Sequence, residues 1–111
     1  MTNIEFQDFL KVDMRVGTVV SVDLNEKACK PAYVMKIDFG DFGEKTTSAQ
    51  ITENYQVEDL IGTQVVAVVN FPVKRVAGVK SEVLVLAIVD DEKGNVLLRP
   101  SLEVQNGMRL L

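Results

Sequence analysis

Residues 65–86 read VVAVVNFPVKRVAGVKSEVLVL, and they carry the clearest strand and loop pattern of the chain. An apolar, β-branched run lies at each end, and Asn-Phe-Pro and Gly-Val-Lys-Ser lie between the two runs. Runs of this composition, bounded by turn residues, are typical of strands. The stretch therefore predicts two strands joined by a structured loop.

The loop inside this stretch is basic, although the whole chain is acidic. Residues 60–81 contain three bases, Lys74, Arg75 and Lys80, and no acid, whereas the complete chain has a net charge of −4. An acidic chain that concentrates positive charge on one loop can place that charge where an anion or a polar backbone binds. A solvated turn is the alternative interpretation, and the charge pattern is compatible with both.

Length and composition predict a single domain. The 111 residues, 47% of them apolar and rich in Val and Ile, suffice for one core and favour strands. No window approaches the ~18 continuous apolar residues that span a bilayer, and residues 1–11 lack the features of a signal peptide. We therefore expect a cytoplasmic protein without membrane insertion.

The residues that usually carry chemistry argue against an enzyme. The chain has no His and a single Cys, Cys29, so it has neither an imidazole base nor a usable set of zinc ligands. One cysteine also excludes an intrachain disulfide, and Cys29 is interpreted as an incidental loop thiol. We predict no catalytic residue, no metal and no cofactor.

The two ends of the chain carry more apolar side chains than a small barrel needs. Thr2 and Glu5 have the spacing of a capping box, which predicts a short helix after them. A helix this short must dock, either on its own barrel or on a second subunit. We expect one domain over residues 1–111, with residues 1–12 and 99–111 as dimerisation appendages. The predicted interface residues are Ile4, Phe6, Phe9, Leu10, Leu102, Val104, Met108 and Leu110.

Alternating patterns between these ends predict five strands. In residues 14–24 the even positions are mostly apolar and are expected to share one buried face, while Gly17 indicates a bend or bulge. The other expected elements are strands at 33–39, 45–52, 64–69 and 83–89, a tight turn at 40–43 and a helical turn at 53–61 that ends at Gly62.

Three strands, a helical link and two more strands are the element order of an OB-fold. This is an all-β, five-stranded Greek-key barrel that binds extended polymers on an exposed face. We therefore predict such a barrel with a short N-terminal helix and a strand-like C-terminal extension. Periodicity alone does not exclude other small barrel folds.

A set of short motifs in the chain resembles the tRNA-binding-domain family. The match runs in order along nearly the whole chain, and its segments are Asp13–Gly17, Ile37–Gly40, Ser48–Thr52, Leu60–Gly62, Val69–Pro72 and Gly78–Leu86. That family includes a free-standing tRNA-binding protein, the appended domain of bacterial methionyl-tRNA synthetases and an export-associated cytoplasmic chaperone. The likeness is strongest to the chaperones, because Val83-Leu84 stands where the tRNA binders have Gly-Met.

The resemblance implies a homodimeric OB-fold chaperone that holds unfolded or export-bound preproteins, with the secretion motor ATPase as a further partner. The alternative is a structure-specific tRNA-binding protein that uses Lys74, Arg75 and Lys80. A receptor for non-native chains needs exposed apolar surface and polar groups for main-chain hydrogen bonds. The predicted binding residues are Lys36, Ser48, Gln50, Asn70, Phe71, Lys74, Arg75, Val76, Val79, Lys80 and Ser81.

Overall fold

The computed structural model describes residues 1–111, most of which lie in or between short strands. The strands are β1 (Met14–Leu24), β2 (Tyr33–Asp38), β3 (Glu44–Ala49), β4 (Gln64–Val68), β5 (Lys74–Val76), β6 (Val79–Ser81), β7 (Leu84–Val85), β8 (Ala87–Asp90) and β9 (Gly94–Leu97). The helices are α1 (Phe6–Leu10), α2 (Val57–Leu60) and a 3₁₀ turn at Gly40–Phe42. None of them is long and apolar enough to cross a membrane.

Five antiparallel strands form a nearly closed barrel in the order β3-β2-β1-β4-β7. The edge strand β3 meets the segment before β7, where the Glu82 N–H donates to the Thr46 carbonyl at 2.8 Å. The Thr47 hydroxyl donates to the Val83 carbonyl at 2.7 Å beside it. These bonds close the barrel, and the OB-fold prediction is confirmed.

Alternation along β2 builds the centre of the core. Met35, Ile37 and Phe39 are fully buried, as the period of two predicts. β4 contributes Val65–Val68, all of which are buried, so this strand is covered on both faces.

The prediction that the even positions of β1 share one buried face is wrong in the first half of the strand, where the odd positions Gly17 and Val19 face the core. A register shift between Val19 and Ser21 places one extra residue in β1. Because one residue inverts the alternation, Val19 faces the core before the bulge and Val22 after it. Val20, at the bulge, and Leu24, at the end of the strand, are exposed.

Gly17 is required by close packing, since its neighbours leave no room for a side chain. A Cβ at this position would lie 2.6 Å from the Ile37 Cγ2 and 2.8 Å from the Phe39 ring. The core side chains of Ile37 in β2 and of Phe39, just after it, therefore lie directly against the backbone of β1.

The terminal segments differ in detail from their predictions. The capping box uses Glu5 and Asp8 instead of Thr2 and Glu5, so α1 begins at Phe6. The C-terminal tail lies along the first half of β1, where the Val16 N–H donates to the Met108 carbonyl at 3.0 Å. This pairing confirms the strand-like extension.

Several boundaries also move. The third strand ends at Ala49, the helical turn shortens to Val57–Leu60, and the predicted fifth strand divides into β7 and β8 because Ala87–Asp90 pairs with β9. The basic loop contains a hairpin of its own, β5–β6. Ala77 and Gly78, with φ of 48° and 82°, form its two-residue turn.

Candidate binding groove

The β5–β6 hairpin is attached to β3 through Ser81. The Ser81 Oγ accepts the Ser48 N–H at 3.3 Å and lies 3.2 Å from the Thr47 Oγ1. Since Thr47 also bonds the Val83 carbonyl, the base of the hairpin and the closure of the barrel share one small polar cluster. Ser81 therefore fixes where the hairpin stands.

An open groove of about 270 Å³ lies between the hairpin and the barrel, and we call it the hairpin groove. Phe71 and Leu84 are both 51% exposed and supply apolar surface in it. Ser48 and Lys74 supply polar groups. The lining residues are Ser48, Phe71, Pro72, Lys74, Val76, Ser81, Glu82, Val83 and Leu84.

The hairpin has two chemically different faces. Directly opposed residues of an antiparallel pair project to the same side, and successive residues alternate. Lys74 is opposite Ser81 and Val76 is opposite Val79, so these four share the face toward the hairpin groove. Arg75 and Lys80 are opposite each other and project from the outer face.

The structure therefore divides the residues that the sequence grouped into one site. Ser48, Phe71, Lys74, Val76 and Ser81 line the hairpin groove, and Val79 lies on the same hairpin face. Gln50 lines an adjoining groove that shares Ser48 and Leu84 with the first. Lys36, Arg75 and Lys80 are exposed outside both grooves, and Lys36 lies on β2 opposite Thr46. Their roles in binding stay predictions.

Asn70 does not line either groove, because its amide holds the segment between α1 and β1. Its Oδ1 accepts the Asp13 N–H at 2.9 Å, and its Nδ2 donates to the Lys11 carbonyl at 2.7 Å. Phe71 follows directly in the chain, so Asn70 positions the start of the groove wall. Sequence reasoning placed this amide in the site because its backbone partners are distant in the chain.

Two residues next to the hairpin were missed. Leu84 falls within the strand predicted at 83–89, and an apolar pattern does not reveal which side chains of such a strand are left exposed. Lys27 lies against the hairpin turn, with its Cδ 3.4 Å from the position that a Cβ of Gly78 would occupy. In the sequence, the turn residue Asn25 is a signal for a structured loop here. In the structure its Nδ2 donates to the Ala77 carbonyl at 3.5 Å.

The two chain ends lie side by side and expose apolar groups. The Arg109 guanidinium donates to the Leu10 carbonyl at 2.7 Å and contacts the Asp13 carboxylate at 3.6 Å. No residue of α1 is buried, and Phe9 and Leu110 are half-buried. The remaining predicted interface residues are all exposed: Ile4, Phe6, Leu10, Leu102, Val104 and Met108.

The five-stranded barrel, with an open groove beside a polar hairpin, has the architecture of the OB-fold class. Residues 14–109 match the family described as putative tRNA binding domain, and the chain belongs to that family. The family predicted from the motifs is confirmed.

Known structures and sequences give two kinds of relative. The chaperone CsaA of Bacillus anthracis is 52% identical, with a TM-score of 0.94 over 99% of this chain and 100% of that one. The CsaA chaperone of Picrophilus torridus is 44% identical, with a TM-score of 0.92 over 98% of this chain and 100% of that one. The methionine–tRNA ligase of Pyrococcus furiosus is 38% identical over 99% of this chain and 15% of the ligase. The chain thus spans about a sixth of the length of the curated relatives that it matches.

Proposed function

We propose that this chain is a homodimeric, non-catalytic chaperone that binds unfolded or export-bound polypeptide segments in the hairpin groove. The observation that carries the proposal is an open groove in which half-exposed Phe71 and Leu84 lie next to polar side chains. The likeness to two CsaA chaperones over almost the whole chain supports it.

The groove suits polypeptides of varied sequence. Apolar side chains gain free energy from contact with Phe71, Val76 and Leu84, at roughly 25 cal/mol for each Å² removed from water. The Ser48 and Ser81 hydroxyls and the Lys74 ammonium are placed where a polar backbone would pass. Such contacts recognise an extended chain without demanding one sequence.

A homodimer would give a long client two grooves, and the second contact would then be intramolecular. The exposed apolar residues of α1 and the tail form the proposed interface, since side chains of this kind commonly mark subunit contacts. We place the dimer in the cytoplasm, with preproteins as clients and the secretion motor ATPase as a further partner.

The groove is tested by comparing Phe71→Asp with Val73→Asp in an aggregation-suppression assay. Phe71 and Val73 are equally exposed, at 51%, but only Phe71 lines the groove. We expect Phe71→Asp to weaken suppression about tenfold and Val73→Asp to leave it near the unmodified level, because only the first charge enters the groove. Equal suppression by both variants would overturn the proposed site.

The dimer is tested by sedimentation. Phe6→Glu introduces a charge on the exposed apolar face of α1. Phe6 is 59% exposed in one chain, so the variant is expected to fold normally. We expect the unmodified protein to sediment as a dimer and the variant as a monomer. A monomeric unmodified protein would remove the proposed assembly.

Binding of tRNA is the second candidate, favoured by the outer hairpin face. Arg75 and Lys80 are directly opposed there, and the ion pairs of the chain involve Lys11, Arg15 and Arg109 instead. Unpaired cations of this kind suit phosphates. A tRNA titration at two salt concentrations should show affinity falling with salt, and Arg75→Glu with Lys80→Glu should abolish binding. No retention at low salt would remove this candidate.

A further inference from the structure

The hairpin groove does not end at Ser48 and Leu84. An adjoining groove of about 270 Å³, which we call the seam groove, continues along the line where β3 and β7 face each other. It is lined by Ser48, Ala49, Gln50, Ile51, Leu84, Val85, Leu86, Ala87, Val89 and Asn95. The two grooves share Ser48 and Leu84, so one surface depression crosses both.

The two parts of this depression differ in charge. No charged residue lines the seam groove, and Val89 at its side is 79% exposed. The hairpin groove contains Lys74, which takes part in none of the ion pairs of the chain. Glu82 is the one acidic residue that lines it, and its Oε1 accepts the Thr46 N–H at 3.1 Å, which holds this carboxylate on the β3 side of the groove, whereas Lys74 is exposed on the hairpin side.

We propose that the two grooves form one trough for an extended polypeptide segment. In it, an acidic side chain of the client lies beside Lys74 and apolar side chains occupy the seam groove. This inference rests on the proposed function and adds a selectivity to it. Charge complementarity and continuity with the hairpin groove argue for this occupant. The uncharged seam groove favours the burial of apolar side chains, whereas the ammonium of Lys74 attracts a carboxylate.

Strand geometry sets the length of the segment. Lys74 and Ser48 are separated by two inter-strand steps of about 5 Å, and Gln50, just past the end of β3, lies about 7 Å further along the chain from Ser48. An extended chain rises about 3.3 Å per residue. The trough therefore takes about five residues, with the acidic and apolar side chains about four positions apart.

The test uses fluorescein-labelled peptides and fluorescence polarisation on the full chain. Each peptide carries one Asp about four residues from a Leu-Ser-Leu motif, in either order. Matched peptides replace Asp by Lys or both Leu by Ser. The protein variants are Lys74→Glu, Val89→Asp and the control Arg75→Glu, whose side chain projects from the outer hairpin face. All three positions are exposed, so the variants are expected to fold.

We expect the unmodified protein to bind the Asp peptide about threefold more tightly than the Lys peptide, as exposed ion pairs allow. Lys74→Glu should reverse this preference, whereas Arg75→Glu should retain it. Val89→Asp should weaken binding of the Leu peptides about fivefold without changing the Asp-to-Lys ratio.

Three outcomes would overturn the trough. They are equal affinity for the Asp and Lys peptides, an equal effect of Arg75→Glu and Lys74→Glu, and unchanged binding by Val89→Asp. Each of these outcomes leaves the proposed polypeptide site in the hairpin groove standing, provided that Phe71→Asp still reduces aggregation suppression. Failure of every peptide to bind, together with absent suppression, would overturn the proposed function as well.

Discussion

β4 and the β5–β6 hairpin follow each other in the chain and have similar β-branched residues, yet their environments are opposite. β4 lies between β1 and β7, and Val65–Val68 are all buried. The hairpin pairs only with itself, and Lys74, Arg75 and Lys80 are exposed. The difference shows that one stretch of sequence supplies both a buried strand of the barrel and the exposed hairpin of the proposed site.

This comparison separates two kinds of effect. Changes in the barrel should lower the free energy of unfolding, because they remove buried contacts. Changes on the hairpin should alter ligand binding and leave unfolding nearly unchanged, because surface substitutions seldom exceed about 0.5 kcal/mol.

The largest expected effect comes from Phe39→Ala. Phe39 is fully buried, and truncation of a buried Phe costs about 3–5 kcal/mol, a large part of the ~5–15 kcal/mol that stabilises a small domain. Phe71→Ala is the matched control, and urea denaturation should place its loss below about 1 kcal/mol. Similar losses for both variants would mean that Phe71 is a core residue.

Thr47→Val is expected to have an intermediate effect. It removes the hydroxyl that donates to the Val83 carbonyl at 2.7 Å and leaves that carbonyl only the longer bond from the Ser81 hydroxyl at 3.4 Å, so we expect a loss of about 1 kcal/mol. The seam should then open more often, so the Glu82 amide should exchange its hydrogen faster. Thr46→Val is the control, since the neighbouring Thr46 bonds through its backbone. An unchanged exchange rate in Thr47→Val would show that this hydroxyl does not hold the barrel closed.

The smallest expected effect is a gain in stability. Arg75 and Lys80 are directly opposed, and like charges in that position are destabilising. Arg75→Thr should therefore raise the free energy of unfolding by roughly 0.3 kcal/mol at low salt, and the gain should fade as salt screens the charges. Lys74→Thr, whose partner across the hairpin is Ser81, should give no such salt-dependent gain. A loss above about 1 kcal/mol for Arg75→Thr would mean that the pair has a structural role.

The sequence predicts the barrel well because burial imposes strict alternation. The pattern of Tyr33, Met35, Ile37 and Phe39 is sufficient to place β2 and its buried face. The bulge in β1 escapes this reasoning, because a period of two does not reveal where one residue is inserted. The face assignment of Val20 fails for that reason.

The site is less predictable because it depends on contacts between distant segments. Residue types indicated Phe71, Lys74 and Ser81 as candidates, and the three line one groove in the structure, although their role in binding stays a prediction. The outward direction of Arg75 depends on the register of the hairpin, and the engagement of Asn70 depends on the backbone of Lys11 and Asp13. Neither feature is visible in the local sequence.

Methyl NMR during titration with an unfolded polypeptide tests the central claim most directly, because it compares exposed apolar groups on one molecule. Val76 and Leu84 line the hairpin groove, whereas Val20 and Ile61 are exposed elsewhere on the barrel. We expect the methyl signals of Val76 and Leu84 to shift saturably while those of Val20 and Ile61 stay in place. Shifts of equal size at all four residues, or none at Val76 and Leu84, would contradict a polypeptide site in the hairpin groove.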